Sequence, residues 1–522
     1  MIEQVLTMKR TAALCLVGAF CSLNAQAQNI QVKGNLVDGT GEPLIGATVK
    51  VKGNASVGAV TDFDGNFSIS VQADLQADGN LPALRVEGKN LVDANGKTVV
   101  LHGVMDTPNR YFNGWRWQQW KADYSEADIQ PCLEYFSKQF AAITDKEQGA
   151  YCTVFRLHMD PCWTNDPSKK AENEADISAF NMARYRLYLQ KLYIPLIKDA
   201  IAHGLYVIVR PPGVCPGDIS VGDKYNRYLK SIWKAFAADE YIRQNSGLIS
   251  IELANEPVRV HLSDGSNSDK ALHDFFQPVV DEIRAQGFKG IIWVPGAGYQ
   301  SQYQNYAKYP ITDSEDNFSY AVHVYSGWYG NMTDKNCNHD TFIRNFKSQV
   351  PMVETKPIMV TEIDWSPEDP DKANEGHYNE WGQWTQPNLG SWATASTSKW
   401  GLAWKAVHDH YGNIGMTLTH PQEYYDIDEY LKSGKVIPGF QNAKKHGLFE
   451  ECCGYACMNW YKEWYMKQNT TGIKQLETQA DVVSTLYYNI EGKEVEKPTA
   501  GVYIIKQLLS NGKMRSRKIF LK

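Results

Sequence analysis

The chain has 522 residues, too many for a single hydrophobic core, so we expect one large domain with smaller appendages. Its content of 43% hydrophobic and 21% charged residues is ordinary for a globular protein, and its net charge of −6 gives no reason to expect nucleic acid or an anionic membrane surface as a partner. The 15 Trp, 29 Tyr and 18 Phe residues form a heavy aromatic load, which is typical of clefts that stack sugar rings and also of large buried cores.

Residues 1–27 have the pattern of an export signal. Lys9 and Arg10 form a basic head, residues 11–23 form a short apolar run, and small residues at 25–27 form a cleavage site. The run is too short to span a bilayer, and no other stretch approaches the ~20 apolar residues that a spanning helix needs. We therefore predict a secreted or cell-surface protein without a transmembrane segment.

Residues 28–73 alternate between apolar and polar side chains and are divided by the glycine-containing turns DGTGEP and DFDGN, which predicts a small β-module. A GATV strand followed by T-D-x-x-G-x-F resembles the start of a carboxypeptidase regulatory-like domain. The later strands of that domain are absent, so we interpret this segment as a truncated module. Polar residues 74–81 form the predicted linker to the next domain.

From residue 82 to residue 467, apolar strand-like runs alternate with amphipathic helical runs, which favours a parallel sheet covered by helices. Eight such pairs in order predict an α/β fold, a (β/α)8 TIM barrel. The predicted barrel strands are 98–106, 151–159, 205–211, 248–257, 291–296, 318–326, 357–365 and 413–420.

The last part of the chain changes character again. After a predicted linker at 468–481, residues 482–522 read as three short strands joined by turns. The sequence GVYI, then NGK, then KIFLK resembles the C-terminal sorting domain of the type IX secretion system, which implies that secretion machinery as a partner. The alternative is an accessory β-module.

Two glutamates are predicted to follow barrel strands that lie across the barrel from one another. Glu256 comes after the fourth strand and Glu362 after the seventh, and the carboxyl ends of the strands line the active site in this fold. A retaining glycosidase needs one carboxylate that attacks the anomeric carbon and a second that exchanges a proton with the leaving group and with water. The pair therefore predicts this chemistry, without a metal and without a cofactor.

The motifs ELANEP, MVTEIDW, FRLH and AVHVYSG resemble those of glycoside hydrolase family 5 over residues 82–467. The resemblance implies that Glu256 is the catalytic acid/base and Glu362 the nucleophile. It further implies a set of substrate-binding or orienting residues around them. Asn255 would bind the substrate 2-hydroxyl, His323 would hold the acid/base side, and Arg156 and Tyr325 would orient and ionise the nucleophile.

Two positions depart from the pattern of the family. It has a histidine after the third strand, where this chain has Arg210 followed by two prolines, and a tryptophan after the eighth strand, where this chain has His420 and Tyr424. We expect Trp365, or an aromatic residue from a loop, to take the place of that tryptophan beneath the sugar. His420 is included among the predicted substrate-binding residues.

Eight cysteines remain after the export signal, in a compartment that permits disulfides. Cys162 and Cys215 follow neighbouring predicted strands, so we expect that they could pair. Cys452, Cys453 and Cys457 are close in sequence, and structural thiols are favoured over a zinc site because no ligand set with the appropriate spacing accompanies them.

These observations lead to endo-acting hydrolysis of a β-linked plant polysaccharide, with a β-1,4-glucan as the first candidate substrate. A β-mannanase or another β-glycanase of the same family is the alternative, and a surface glycan-binding protein without turnover is the alternative of another class. Several loop aromatics either stack sugars or pack the loops: segment 111–120 and Trp163, Trp381, Trp384 and Trp392.

Overall fold

Our structure is a computed structural model. It describes residues 29–35, 43–44, 46–51, 54–72, 81–118, 124–333, 336–365, 377–378, 384–385, 398–439, 453–469, 482–489, 493–495, 498–499, 501–509 and 514–521. The predicted export signal at 1–27 and Trp381, Trp392 and Cys452 lie outside these residues.

Eight parallel strands close into a barrel in chain order, which confirms the predicted fold class. All side chains of several strands are buried, because the barrel core covers one face and helices cover the other. The strands are β1 His102–Asp106, β2 Val154–His158, β3 Tyr206–Arg210, β4 Ile249–Glu252, β5 Ile292–Pro295, β6 Phe318–Val324, β7 Ile358–Ile363 and β8 Ile414–Leu418.

Each barrel strand is followed by a helix that packs its apolar face on the barrel. The helices are α1 Ile129–Thr144, α2 at 182–202, α3 Lys224–Ala237, α4 Ala271–Ala285, α5 Gln304–Lys308, α6 His339–Gln349, α7 Lys399–Tyr411 and α8 Cys453–Asn469. Helix α2 contains a π-helical turn, Leu189–Tyr193, which ends two residues before Pro195. Proline has no backbone N–H, and the wider turn absorbs the missing hydrogen bond.

Short helical turns and strand pairs occupy the connections. The turns are Glu126–Asp128, Pro161–Thr164, Ile177–Ala179, Glu240–Gln244, Ala297–Gln300, Trp328–Asn331, Pro351–Glu354, Pro421–Glu423 and Ile427–Ser433. The strand pairs are Asp218–Ser220 with Arg259–His261, parallel, and His377–Tyr378 with Trp384–Thr385, antiparallel.

A three-stranded sheet, Leu84–Glu87, Asn90–Asp93 and Thr98–Val99, packs on residues at the amino-terminal end of the barrel. The predicted first strand, 98–106, is therefore wrong as one element, since its first residues belong to this sheet. The break has a physical cause: the Gln468 side chain bonds both the backbone N–H and the carbonyl of Val100, at 3.1 Å each. Val100 consequently has no backbone groups left for either ladder.

Small antiparallel sheets flank the barrel domain in sequence. Before it, Asn29–Asn35 pairs with Asn66–Gln72, and Thr48–Val51 pairs with Asn54–Val60. After it, Val482–Tyr488, Gly501–Leu509 and Met514–Leu521 form a three-stranded sheet. None of the helices in the described ranges combines the length and apolarity needed to cross a membrane.

The expected pairing of Cys162 with Cys215 is wrong, because both are free thiols. The Cys162 sulfur faces the carbonyl of Pro108 on the β1 loop, at 3.9 Å, whereas the Cys215 backbone N–H is bonded to the carbonyl of Asn255 after β4. The two cysteines thus pack against different loops. In α8, the buried thiol of Cys453 donates to Glu423 at 2.8 Å.

A buried histidine pair joins the start of β1 to α7. The Nε2 atoms of His102 and His408 are 2.8 Å apart, and His408 stacks on the Trp464 ring of α8 at 3.7 Å. Burial lowers the pKa of both histidines, and the neighbouring His408 lowers that of His102 further. Both imidazoles are therefore neutral in the folded protein near pH 7.

We predict that this pair destabilises the fold in acid. In the unfolded chain each histidine takes up a proton near pH 6.5, which the folded pair resists, so stability falls as pH drops below ~6.5, by up to ~1.4 kcal/mol per pH unit for each histidine. The double variant His102→Asn/His408→Asn should lose less of its melting temperature between pH 7 and pH 5 than the wild type does. The exposed His410→Asn, on the same helix, is the control. An equal loss in all three proteins would contradict the prediction.

Candidate active site

The two predicted catalytic glutamates meet at the carboxyl-terminal end of the barrel. One carboxylate oxygen of Glu256, one of Glu362 and a ring nitrogen of His323 all lie within 4.8 Å of one another. The three side chains come from the loop after β4, from β7 and from β6. The barrel therefore brings together groups that are 106 and 39 residues apart in the chain.

Glu362 is held by donors on both of its oxygens. Arg156 Nη1 donates to Oε1 and the Tyr325 hydroxyl donates to Oε2, both at 2.8 Å, and the side chain is only 10% exposed. Burial would raise the pKa of Glu362, but the fields of His323, Arg156 and Arg210 outweigh it and lower the pKa to about 2. Glu362 is consequently ionised at any physiological pH.

Glu256 has a different environment. Its side chain is 25% exposed, and its Oε1 lies 2.9 Å from His323 Nδ1. Its backbone is left-handed, with φ of 58°, a region that costs a non-glycine residue of order ~1–3 kcal/mol and is found at functional sites. Gln300 accepts a hydrogen bond from the backbone N–H of Glu256 at 2.6 Å and so stabilises this conformation.

The other predicted site residues, which lie on or just after β2, β4 and β6, contact the two glutamates or one another. Arg156 is fully buried, so it acts through other side chains; its Nη2 donates to Asn255 Oδ1 at 2.7 Å. That bond fixes the amide of Asn255 so that its Nδ2 end points away from Arg156. His323 is fully buried, with Nδ1 also 3.4 Å from Glu362 Oε2. It lies between the two glutamates.

Two further residues were missed from the sequence, Glu252 and Gln300. Glu252 is the last residue of β4, fully buried, and its carboxylate forms a two-bond ion pair with Arg156. Gln300 ends a left-handed turn whose Gly298 and Tyr299 N–H groups donate to the carbonyls of Val258 and Pro257. A glutamate that ends the otherwise buried run ISIE was the available signal for Glu252, because buried carboxylates are rare unless paired. Nothing in the sequence marked Gln300.

The two departures from the expected pattern have different outcomes. Arg210 ends β3 and donates to Gly213 O at 2.6 Å and to His158 Nδ1, and its charge contributes to the low pKa of Glu362. Burial lowers the pKa of His420, while Glu362 acts in the opposite direction, which places His420 within the electrostatic reach of the nucleophile candidate. Tyr424, in contrast, is fully buried and accepts from the backbone of Tyr151.

Trp365 does not line the site surface. Only 1% of it is exposed, and its indole packs between Trp400 of α7 and Trp460 of α8, at 5.6 and 5.5 Å. A ring that supports a sugar must present a face to solvent, so this position does not provide the platform expected at the end of β8. The reason is local: the strand ends at Ile363, and the chain then turns Trp365 outward onto the helices.

The model of the family Cellulase (glycosyl hydrolase family 5) matches residues 134–400, just over half of the chain. The chain belongs to glycosyl hydrolase family 5. The protein is therefore a glycoside hydrolase on a (β/α)8 barrel, as predicted. No curated protein sequence matches it significantly.

Several solved structures are similar to this family 5 hydrolase. A β-glucanase from Saccharophagus degradans, solved in complex with cellotetraose, is 14% identical with a TM-score of 0.47, over 76% of this chain and 96% of that chain. The catalytic domain of the endoglucanase Cel5A (E5) from Thermobifida fusca is 18% identical with a TM-score of 0.41, over 74% of this chain and 97% of that chain.

Aromatic side chains extend the hydrolase site along one side. The Trp328 ring packs edge-on against Tyr325 at 5.1 Å, and Tyr299, 49% exposed, lies 6.3 Å beyond it. Neither was selected from the sequence. Of the predicted loop aromatics, Trp115 is 37% exposed, whereas Trp163 is fully buried and donates to the Pro108 carbonyl, so it packs the loop. The side chain of Trp384 is outside the described part.

The Glu256, His323 and Glu362 group also has the composition of a metal site. Its donor atoms are already engaged: Arg156 and Tyr325 donate to the two oxygens of Glu362, and His323 Nδ1 lies within hydrogen-bond distance of Glu256. A cation there would have to compete with these donors for the oxygens of Glu362. The group therefore fits a charge-neutralised carboxylate pair better than it fits a metal.

We predict that Tyr325→Phe shifts the acid limb of the pH profile upward. The variant keeps the ring against Trp328 but removes a hydrogen bond to a charged group, worth ~1.5–3 kcal/mol, so the pKa of Glu362 rises. If Glu362 is the nucleophile, it must be ionised to react, so activity would be lost at a higher pH than in the wild type, by about one to two pH units. The measurement is kcat/KM against pH on an aryl β-glycoside.

Tyr329→Phe is the matched control. This variant also removes one phenol hydroxyl, from a tyrosine four residues later. The Tyr329 hydroxyl donates to the backbone carbonyl of His323 at 2.8 Å and does not reach Glu362. The acid limb of this variant should coincide with that of the wild type. Superimposable acid limbs for both tyrosine variants would show that the Tyr325 hydroxyl does not stabilise the ionised Glu362.

Proposed function

We propose that this family 5 hydrolase cleaves β-glycosidic bonds with retention, with Glu362 as nucleophile and Glu256 as acid/base. The observation that carries the proposal is the close carboxylate pair, with oxygens within 4.8 Å and two unequal environments. Retaining pairs have carboxyl groups ~5–5.5 Å apart, whereas inverting pairs are ~6.5–9.5 Å apart to admit a water molecule. The shorter spacing supports attack by Glu362 itself.

In the first step a Glu362 oxygen forms a bond to the anomeric carbon while the bond from that carbon to the glycosidic oxygen breaks. The proton of Glu256 passes to the departing oxygen, which leaves as an alcohol. In the second step water attacks the same carbon, its proton passes to Glu256, and the ester to Glu362 breaks. The ionised, buried Glu362 and the partly exposed Glu256 suit these two roles.

The substrate we infer is a β-1,4-glucan, cleaved internally. The family name Cellulase supports a glucan, and the exposed Tyr299 next to Trp328 and Tyr325 offers aromatic faces to successive sugar rings. A β-mannanase or another β-glycanase is the alternative within the family. Carboxymethylcellulose and mixed-linkage glucan should be hydrolysed faster than mannan or xyloglucan, and the opposite order would favour the alternative.

We further propose that the protein is exported and delivered to the cell surface or the medium. The support comes from the sequence: the signal-like residues 1–27 and the tail at 482–522, which resembles a type IX sorting domain and whose described strands form a three-stranded sheet. The type IX machinery would then be the partner of this tail.

We predict that Glu256→Gln and Glu362→Gln lose activity in different ways. Glu256→Gln cannot donate a proton, so polysaccharide cleavage should fall by ~10²–10⁴-fold while the first step on an aryl glycoside with a good leaving group survives better. Added azide should rescue turnover and yield a β-glycosyl azide. Glu362→Gln should abolish both activities, because no group remains to form the covalent intermediate.

Glu147→Gln, an exposed glutamate in the turn after α1, makes the same chemical change away from the site and should behave as wild type. A protein that binds glucan while neither active-site variant alters a hydrolytic rate above background would be the glycan-binding alternative. A β-glycosyl azide from Glu362→Gln would instead show that the two roles are exchanged.

Deletion of residues 482–522 should separate export from catalysis. We predict that the purified truncated protein keeps its hydrolytic rate, because the tail contributes no residue to the site described above, while the cells retain it in the periplasm. Fractionation and activity assays measure the two outcomes. Normal surface delivery of the truncated chain would refute a sorting role for the tail, and loss of activity would show that the tail supports the barrel.

A further inference from the structure

The buried carboxylate of Glu252 accepts four hydrogen bonds from three other elements. Arg156 of β2 donates through Nε at 2.6 Å and through Nη2 at 3.0 Å, Gln300 after β5 donates through Nε2 at 3.0 Å, and Thr361 of β7 donates through its hydroxyl at 2.9 Å. Glu252 is wholly buried. These donors replace the water that the carboxylate loses on burial, and they hold it in one orientation.

Two of these partners continue to the catalytic glutamates. Arg156 uses its remaining Nη1 on Glu362 at 2.8 Å, and Gln300 uses its Oε1 to accept from the backbone N–H of Glu256 at 2.6 Å. Glu252 is therefore linked to both catalytic glutamates. We call the link through Arg156 to Glu362 the Arg156 arm, and the link through Gln300 to Glu256 the Gln300 arm. Glu252 contacts neither carboxylate directly, and being fully buried it does not reach the substrate.

We propose that Glu252 is a positioning residue: its carboxylate aligns Arg156 on Glu362 and Gln300 on Glu256, and so sets the spacing and the relative charge of the two catalytic groups. The proposal rests on the proposed retaining mechanism. It assigns a role in the hydrolysis to a third carboxylate, which acts through its neighbours.

The Arg156 arm has a specific chemical consequence. Its guanidinium is shared between two carboxylates, Glu252 and Glu362. If Glu252 becomes a neutral amide, Arg156 pairs with Glu362 only, and this tighter ion pair makes Glu362 a weaker nucleophile and a better leaving group. Through Arg156 alone, the glycosylation step should then slow while the hydrolysis of the glycosyl-enzyme does not.

The Gln300 arm has a different consequence. Without Gln300 the left-handed backbone of Glu256 loses its partner, so proton donation suffers and Glu362 is unaffected. Glu252→Gln should therefore impair both arms, Gln300→Ala only the acid/base arm, and Thr361→Val neither. Thr361→Val is the matched control, because it removes one donor from the same carboxylate without changing a charge.

The experiment is pre-steady-state kinetics of the full chain on two aryl β-cellobiosides, one with a good and one with a poor leaving group. For Glu252→Gln we expect kcat/KM to fall about 10²-fold, more than kcat, with loss of the product burst on the good leaving group. For Gln300→Ala we expect kcat/KM to fall mainly on the substrate with the poor leaving group, and the product burst on the other substrate to be retained. The kcat/KM of Thr361→Val should stay within about 5-fold of that of the wild type.

Thermal unfolding of each variant separates kinetic from folding effects, and Gln300→Ala tests the second arm even if Glu252→Gln does not fold. Equal rates and bursts for Glu252→Gln and Thr361→Val would overturn the inference, as would a Gln300→Ala enzyme whose losses do not depend on the leaving group. A folded wild-type protein without turnover on either substrate would overturn the proposed function and, with it, this inference.

Discussion

A buried guanidinium, that of Arg156, is the contact on which the rest of the active site depends. It is fully buried between two carboxylates, Glu252 and Glu362, and it also bonds Asn255. Removing one partner from such a buried ion pair typically costs ~3–5 kcal/mol, because an uncompensated charge remains in a medium of low polarity. β2, β4 and β7 are thereby tied together at the carboxyl-terminal end of the barrel.

This arrangement explains why the two glutamates differ although they lie so close. Glu362 faces positive charge and a phenol hydroxyl, so it stays ionised. Glu256 is on a strained, left-handed backbone, partly exposed, with an imidazole as its neighbour. The strain is stabilised by the turn that ends at Gln300, whose own residues are left-handed. The left-handed backbone of Glu256 thus directs its side chain toward His323, whereas an extended strand would direct it elsewhere.

Much of the barrel could be predicted from the sequence, because runs such as YVIV and IMV are apolar on both faces, which is typical of a parallel sheet covered on both sides. The pairing of the two glutamates was predicted from their places near the carboxyl ends of the fourth and seventh strands. The features that could not be predicted depend on contacts between distant parts of the chain. Gln468 interrupts the first strand at Val100, 368 residues earlier. The positive φ of Glu256 and the partners of Cys162 and Trp365 likewise arise from tertiary packing, on which local patterns carry no information.

The measurement that tests the central claim most directly is the stereochemistry of the first product, followed by proton NMR during hydrolysis of a β-1,4-linked glucan oligosaccharide. A carboxylate pair at this spacing predicts that the β-anomer of the new reducing end appears first and that the α-anomer follows only through mutarotation. Initial appearance of the α-anomer would mean that water attacks directly, and would contradict the assignment of Glu362 as a nucleophile.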